Sequence, residues 1–91
     1  MKTHCNLTNH AEIRCQQRGI TAHTLDLLMD YGENKHVRGG GISYFFTRKR
    51  IRDISRHMKK EDVVLMEKQR EAYIVVSPSG EIITAAWRKH H

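Results

Sequence analysis

Ninety-one residues carry 16 Lys and Arg against 10 Asp and Glu, a formal charge of +6 with the seven histidines neutral. A chain of this length folds as one domain with a modest core, burying somewhat more than about 60% of its unfolded surface. The charge points to an acidic partner (nucleic acid, an acidic protein or an anionic membrane surface) and weighs against a small acidic ligand. The apolar runs at residues 63–66 and 74–76 fall far short of the roughly 20 residues that cross a bilayer, so no membrane span is expected. Two cysteines, Cys5 and Cys15, make no disulfide framework. No secretory apolar stretch follows Met1-Lys2-Thr3, and the expectation is a reduced, cytoplasmic protein.

In chain order, Thr8 is a helix N-cap, residues 9–18 run without Gly or Pro, and Gly19 offers a C-terminal stop. Thr21 caps a second helix on which Leu25, Leu28 and Met29 recur at helical spacing until Gly32. Residues 35–38 and 42–47 then read as two strands across Gly39-Gly40-Gly41, a turn whose three glycines leave the register open. Ile51, Ile54 and Met58 stripe a third helix over residues 49–58. Residues 60–68 suit either a strand, from Val63-Val64-Leu65-Met66, or a short charged helix, and the helix is preferred. Residues 72–76, the turn Ser77-Pro78-Ser79-Gly80 and residues 82–87 form a hairpin of two apolar, central strands.

The order ααββα(α)ββ predicts an α+β fold with helices on one face of a small, mainly antiparallel four-stranded sheet. All 91 residues form a single domain, with residues 1–7 and 89–91 loose.

His10, Arg14 and Arg18 lie at i, i+4 and i+8 on the first helix, with Gln17 near that edge. The row fits a phosphate clamp with His10 as a proton-transfer group; it equally fits a surface histidine beside an Arg18 that binds backbone carbonyls. Arg48, Arg52, Arg56 and Lys59 form a second cationic row, flanked by Lys49 and Arg50. Each like-charged pair at helical spacing costs a few tenths of a kcal/mol, and Asp53 and Glu61 offset only part of that, so an anion-binding surface is expected. Tyr44, Phe45 and Phe46 alternate across a strand. Phe45 and at least one neighbour are expected in the core, although an exposed ring there could stack on a base.

The last strand runs into Trp87-Arg88-Lys89-His90-His91, which combines a stacking surface, cations and imidazoles. RNA cleavage through the 2′-hydroxyl needs a base, an acid and cations for the developing charge, and His, Arg and Lys fill those roles. His4, Cys5, His10 and Cys15 are legitimate zinc ligands, but no paired Cys-x-x-Cys spacing is present, so neither a metal nor a cofactor is expected. No P-loop, nucleophile elbow or carboxylate pair occurs, and the glycine triplet reads as a flexible turn.

The string His10-Ala11-Glu12-Ile13-Arg14-Cys15-Gln16-Gln17-Arg18-Gly19-Ile20, followed by Tyr31-Gly32 and by Ile82-Ile83-Thr84-Ala85-Ala86-Trp87-Arg88, resembles bacterial proteins of the domain-of-unknown-function family 4258 and their relatives. The resemblance covers most of the chain and is specific in the first helix. It implies a fold similar to the RelE-like and barnase/EndoU/colicin ribonuclease toxins, which cleave RNA without a metal. His10 and Arg14 then match the helical part of a catalytic site and Arg88 its strand part; Arg18 matches the motif with a structural role. Where such relatives often carry a histidine before the strand arginine, this chain has Trp87. The base would have to be His10, His57 or His90, or else the protein binds RNA without cutting it.

The expectation is therefore a metal-independent ribonuclease-like toxin or RNA-processing module. Arg14, Arg48, Arg52 and Arg88 would hold phosphates, His10 would transfer a proton, and Arg18, Lys49, Arg56, Lys59, Trp87 and Lys89 would extend the RNA surface. Two alternatives use the same basic surface: a non-enzymatic nucleic-acid-binding module, and an interaction module for an acidic, antitoxin-like protein.

Overall fold

Threonine hydroxyls set three of the helix starts by accepting backbone N–H groups that have no partner within the helix. Thr8 accepts from Ala11 at the head of α1 (Asn9–Arg18), Thr21 from Thr24 at the head of α2 (Ala22–Tyr31), and Thr47 from Arg50 at the head of α3 (Arg48–Ile54). The fourth helix, α4 (Lys60–Lys68), has no side-chain cap; Glu61 and Asp62 in its first turn complement the helix dipole instead. Gly19 closes α1 at φ 69°, returning its N–H to the Cys15 carbonyl. The computed structural model describes residues 6–88.

Five strands complete the chain: β1 (Asn6–Leu7), β2 (Glu33–His36), β3 (Ile42–Phe45), β4 (Ala72–Val76) and β5 (Glu81–Trp87). They form one sheet in the order β1-β5-β4-β3-β2, in which β1 pairs parallel to β5 and every other pair is antiparallel. The α+β architecture and the order ααββα(α)ββ are those read from the sequence, and residues 60–68 are helical.

Three boundaries differ from expectation. Residues 6 and 7 belong to the sheet, not to a loose terminus, because Leu7 registers with Ile82 and the Thr8 N–H reaches the Ile82 carbonyl at 3.0 Å. The second strand begins two residues early, at Glu33. Residues 37–41 are spent on the turn, which closes from the Val37 N–H to the Gly41 carbonyl through Gly39 and Gly40 at φ 94° and 89°. The third helix stops at Ile54 because the Ser55 hydroxyl donates to the Arg52 carbonyl, and a 3-10 turn (Ser55–His57) follows.

Strand alternation divides the molecule into two faces. On β4, Ala72, Ile74 and Val76 are buried, while Tyr73 and Val75 between them are half-buried on the other side. The buried side meets the helices, where Leu28, Phe46, Ile51, Ile74 and Ile82 have no accessible surface. Each such side chain contributes about 1.5–3 kcal/mol by leaving water. α1 packs along β5, α2 covers β3 and β4, and α3 and α4 lie against each other.

Tyr44 and Phe46 point into this core and Phe45 does not. Tyr44 registers with the buried Ile74, whereas Phe45 registers with Tyr73 on the face that carries no helix. The expectation of a core Phe45 is thus overturned, and the cause is the period of two: only one parity of this strand can face the helices.

Candidate nucleic-acid interface

The open face of the sheet has an aromatic centre with cations around it. Phe45 lies opposite Tyr73 on β4, and the guanidinium carbon of Arg88 sits 5.6 Å from the Phe45 ring centre. The Lys35 ammonium sits 5.9 Å from the same centre. Each cation–π contact of this kind is worth about 0.5–1 kcal/mol where exposed. Lys35, Ser43, Phe45, Tyr73, Trp87 and Arg88 line a shallow cavity of about 540 Å³.

Lys35 reaches the cavity because it registers with Ser43, two residues from Phe45 on the same face.

Arg88 is fixed from several directions just past the end of β5. Its N–H donates to the Glu71 carbonyl at 2.7 Å, and its Nη2 donates to the Phe46 carbonyl at 2.9 Å and to the Arg70 carbonyl at 3.4 Å. The Glu71 carboxylate lies 3.7 Å from Arg88 Nε through one oxygen and 3.7 Å from Arg70 Nε through the other. The guanidinium is therefore held in place close to the ring. Its plane can both stack on a base and donate to a phosphate.

Round the edge from Arg88, a second groove of about 520 Å³ runs between α3 and α4. Arg48, Ile51, Arg52, Ser55, Val63, Glu67 and Arg70 line it. Arg70 pairs with Glu67 at 3.3 Å on the groove wall. Arg48 and Arg52 are exposed on α3, one turn apart. Arg48, Lys49 and Arg50 fill the first turn of α3, the end where the helix dipole disfavours cations; the turn holds no acid of its own, and Glu33, which accepts from the Thr47 hydroxyl, and Asp53 stand beside Lys49 and Arg50.

Lys59 does not continue the Arg48–Arg52 row, since the helical turns have ended before it. Arg56 sits in the 3-10 turn, where it still lines a shallow cavity with Arg52, and Lys59 takes the extended N-cap position of α4, so the predicted single row of four cations holds as far as Arg56 and loses Lys59. Lys49 reaches Asp53 at 3.8 Å with both side chains largely exposed, an ion pair worth at most about 1 kcal/mol.

The first-helix row is placed on the other side of the sheet. His10 Nε2 accepts from Arg14 Nε at 3.4 Å on the exposed side of α1. Arg18 donates to the Ala85 carbonyl at 2.8 Å. Among the described residues β1 pairs with Glu81 and Ile82 and no strand neighbours the rest of that edge of β5, where Arg18 supplies the donor that a strand would have given. Trp87 completes the staple, its indole N–H donating to the Arg18 carbonyl at 2.9 Å. Trp87 thus anchors its indole N–H on α1 while lining the cavity beside Arg88.

His10 and Arg14 consequently touch each other, and Arg88 touches Phe45 through the sheet from them. Lys89 and His90 lie outside the described residues, as do His4 and Cys5. Cys15 is buried under α1, where burial pushes its thiol up from the ordinary range and the Glu12 carboxylate adds to the effect. Among the described residues no group of three or more His, Cys, Asp or Glu is placed to hold a metal ion, and no helix is long and apolar enough to cross a membrane.

Sequence reasoning missed Lys35, Ser43, Tyr73 and Arg70. The signal for Tyr73 was present, because Ala72, Ile74 and Val76 share one parity and leave Tyr73 on the other. Lys35 needed the register across the glycine turn, and Arg70 needed the packing of α4 against α3. Comparison with protein-family models, with curated proteins and with solved structures found no match.

Proposed function

We propose that this domain binds RNA on the open face of its sheet. The observation that carries the reading is the Phe45 ring flanked by Arg88 and Lys35, with Tyr73 beside it, on the one sheet face that no helix covers. Unpaired bases stack on such aromatic and guanidinium planes at roughly 1–3 kcal/mol per base, and the cations beside them meet the phosphates. The net charge of +6 steers a polyanion towards the domain.

Binding is favoured over cleavage. A metal-independent ribonuclease, which the first-helix resemblance implies, needs a general base within hydrogen-bond reach of the 2′-hydroxyl. His10 and Arg14 pair on the outside of α1, on the far side of the sheet from Arg88. The described part of the cavity wall holds no histidine or carboxylate.

The test is fluorescence anisotropy of a labelled single-stranded RNA across a salt series, with the same RNA incubated in excess EDTA and run on a denaturing gel. Wild-type protein binds with a log–log salt slope of about −0.7 per phosphate contact, Phe45→Ala weakens binding about tenfold, and the RNA stays intact. Metal-free cleavage that His10→Ala abolishes would return the first helix to the centre of the reading. An unchanged affinity in folded Phe45→Ala would remove the sheet face from it.

A further inference from the structure

We infer that the ligand is a single RNA strand that leaves the sheet face at Arg88 and continues along the groove between α3 and α4; this rests on the sheet-face reading above. The two cavities share a wall. Arg88 lines the sheet cavity and donates to the carbonyl of Arg70, which lines the groove. Arg88 also donates to the carbonyl of Phe46, so the chain between the stacking ring Phe45 and the groove arginine Arg48 lies directly beneath the guanidinium.

Cations therefore follow one another in the order Lys35, Arg88, Arg70, Arg48 and Arg52, with Glu67 and Glu71 interposed. The chemistry changes along that line. The sheet cavity offers rings and Ser43, whereas the groove offers Arg48, Arg52 and Arg70 beside Ile51, Val63 and the Glu67 carboxylate, with no aromatic side chain in its described lining. The first part suits bases and the second suits a phosphodiester backbone.

The turn between the two parts selects for a single strand. A base can reach the Tyr73 and Phe45 rings only if its Watson–Crick partner is absent, and a backbone that rounds the end of the sheet into the groove must bend more sharply than a stiff duplex does. The glutamates hold the arginines apart. Glu67 and Glu71 hold Arg70, and Glu71 holds Arg88, as spacers between like charges. A phosphate entering the line exchanges one such pair for its own contact, most readily the Arg70–Glu67 pair, whose carboxylate is exposed, whereas the Glu71 pairs are partly buried.

The experiment compares a dinucleotide, followed by NMR titration, with a labelled decanucleotide and with a hairpin whose stem holds the same sequence. The double variant Arg48→Ala, Arg52→Ala alters two exposed positions and leaves the dinucleotide shifts unchanged. On the decanucleotide it flattens the log–log salt slope by about 1.4, at about 0.7 for each phosphate that the variant no longer neutralises on a single strand. The hairpin binds wild-type protein at least about tenfold more weakly than the decanucleotide. A decanucleotide slope unchanged by the double variant, while Phe45→Ala still weakens both ligands, overturns the groove path and leaves the sheet-face reading standing. Unchanged binding of both ligands by Phe45→Ala overturns both readings. A hairpin bound as tightly as the single strand overturns the single-strand assignment, and a single-stranded DNA of the same sequence bound as tightly as the RNA overturns the assignment to RNA.

Discussion

The helix-covered face of the sheet and its open face are made by the same strands, residue against adjacent residue, yet they obey different rules. On the covered face Ala72, Ile74, Val76, Ile82 and Ala85 are buried against helices. On the open face Ser43, Phe45, Tyr73 and Val75 alternate with the core-facing positions, and Lys35 and Arg88 lie over Phe45. A small domain commonly solves an exposed sheet face with polar side chains. Here rings remain, and the two cations nearest them are placed over an aromatic surface that lowers stability less than a bare apolar patch would but still presents a stacking site. What separates fold from function in this molecule is therefore strand parity, not position along the chain.

Two neighbouring phenylalanines put that division to its most demanding test. Phe46→Ala opens a cavity in the core and is expected to cost about 3–5 kcal/mol. Phe45→Ala removes a half-buried ring and two cation–π contacts and is expected to cost about 2 kcal/mol. Urea denaturation of the two variants measures both. Equal losses would mean that Phe45 is held as tightly as the core, and the functional reading of the open face would lose its foundation.

A smaller effect concerns the staple between α1 and β5. Trp87→Phe keeps an aromatic ring and removes the indole donor to the Arg18 carbonyl, for an expected loss of about 1 kcal/mol. Affinity for RNA stays at the wild-type value, because the donor faces α1. A tenfold loss of RNA affinity at unchanged stability would move Trp87 from the staple to the interface and blur the line between the faces.

Legibility followed the range of the interactions. The caps Thr8 and Thr21 and the stops at Gly19 and Gly32 act within a few residues, so the first two helices could be placed from sequence, whereas Thr47, read as the end of a strand, caps the third. The α3 boundary could not be placed, because the Ser55 hydroxyl competes for a backbone carbonyl that the apolar stripe of Ile51, Ile54 and Met58 does not register. Charge density pointed to Arg48 and Arg52 but could not show that Arg70, from beyond α4, stands beside them. The first-helix row was legible as a row. That Arg18 turns inward to Ala85 while Arg14 turns to His10 depends on where the two-residue β1 stops covering β5, and two residues of strand carry too weak a pattern to read.

The smallest effect tests the covered face by titration. Cys15 sits between α1 and the sheet with 6% of its surface accessible, and burial, helped by Glu12, raises its thiol pKa in the folded state. An unfolded thiol ionises near pH ~8.5, and the folded one only above that. The folded state thus binds the proton more tightly, so the contribution to stability is complete below the unfolded value and is lost as pH rises through the folded value. Wild-type protein and Cys15→Ala, unfolded in urea at a series of pH values from neutral to about 10, should show a stability difference that narrows in favour of the variant as pH rises. Native Cys15 should also react with a thiol reagent far more slowly than the same residue in urea. A gap that stays constant with pH, together with fast native labelling, would mean that water reaches the thiol and that α1 is not closed over β5.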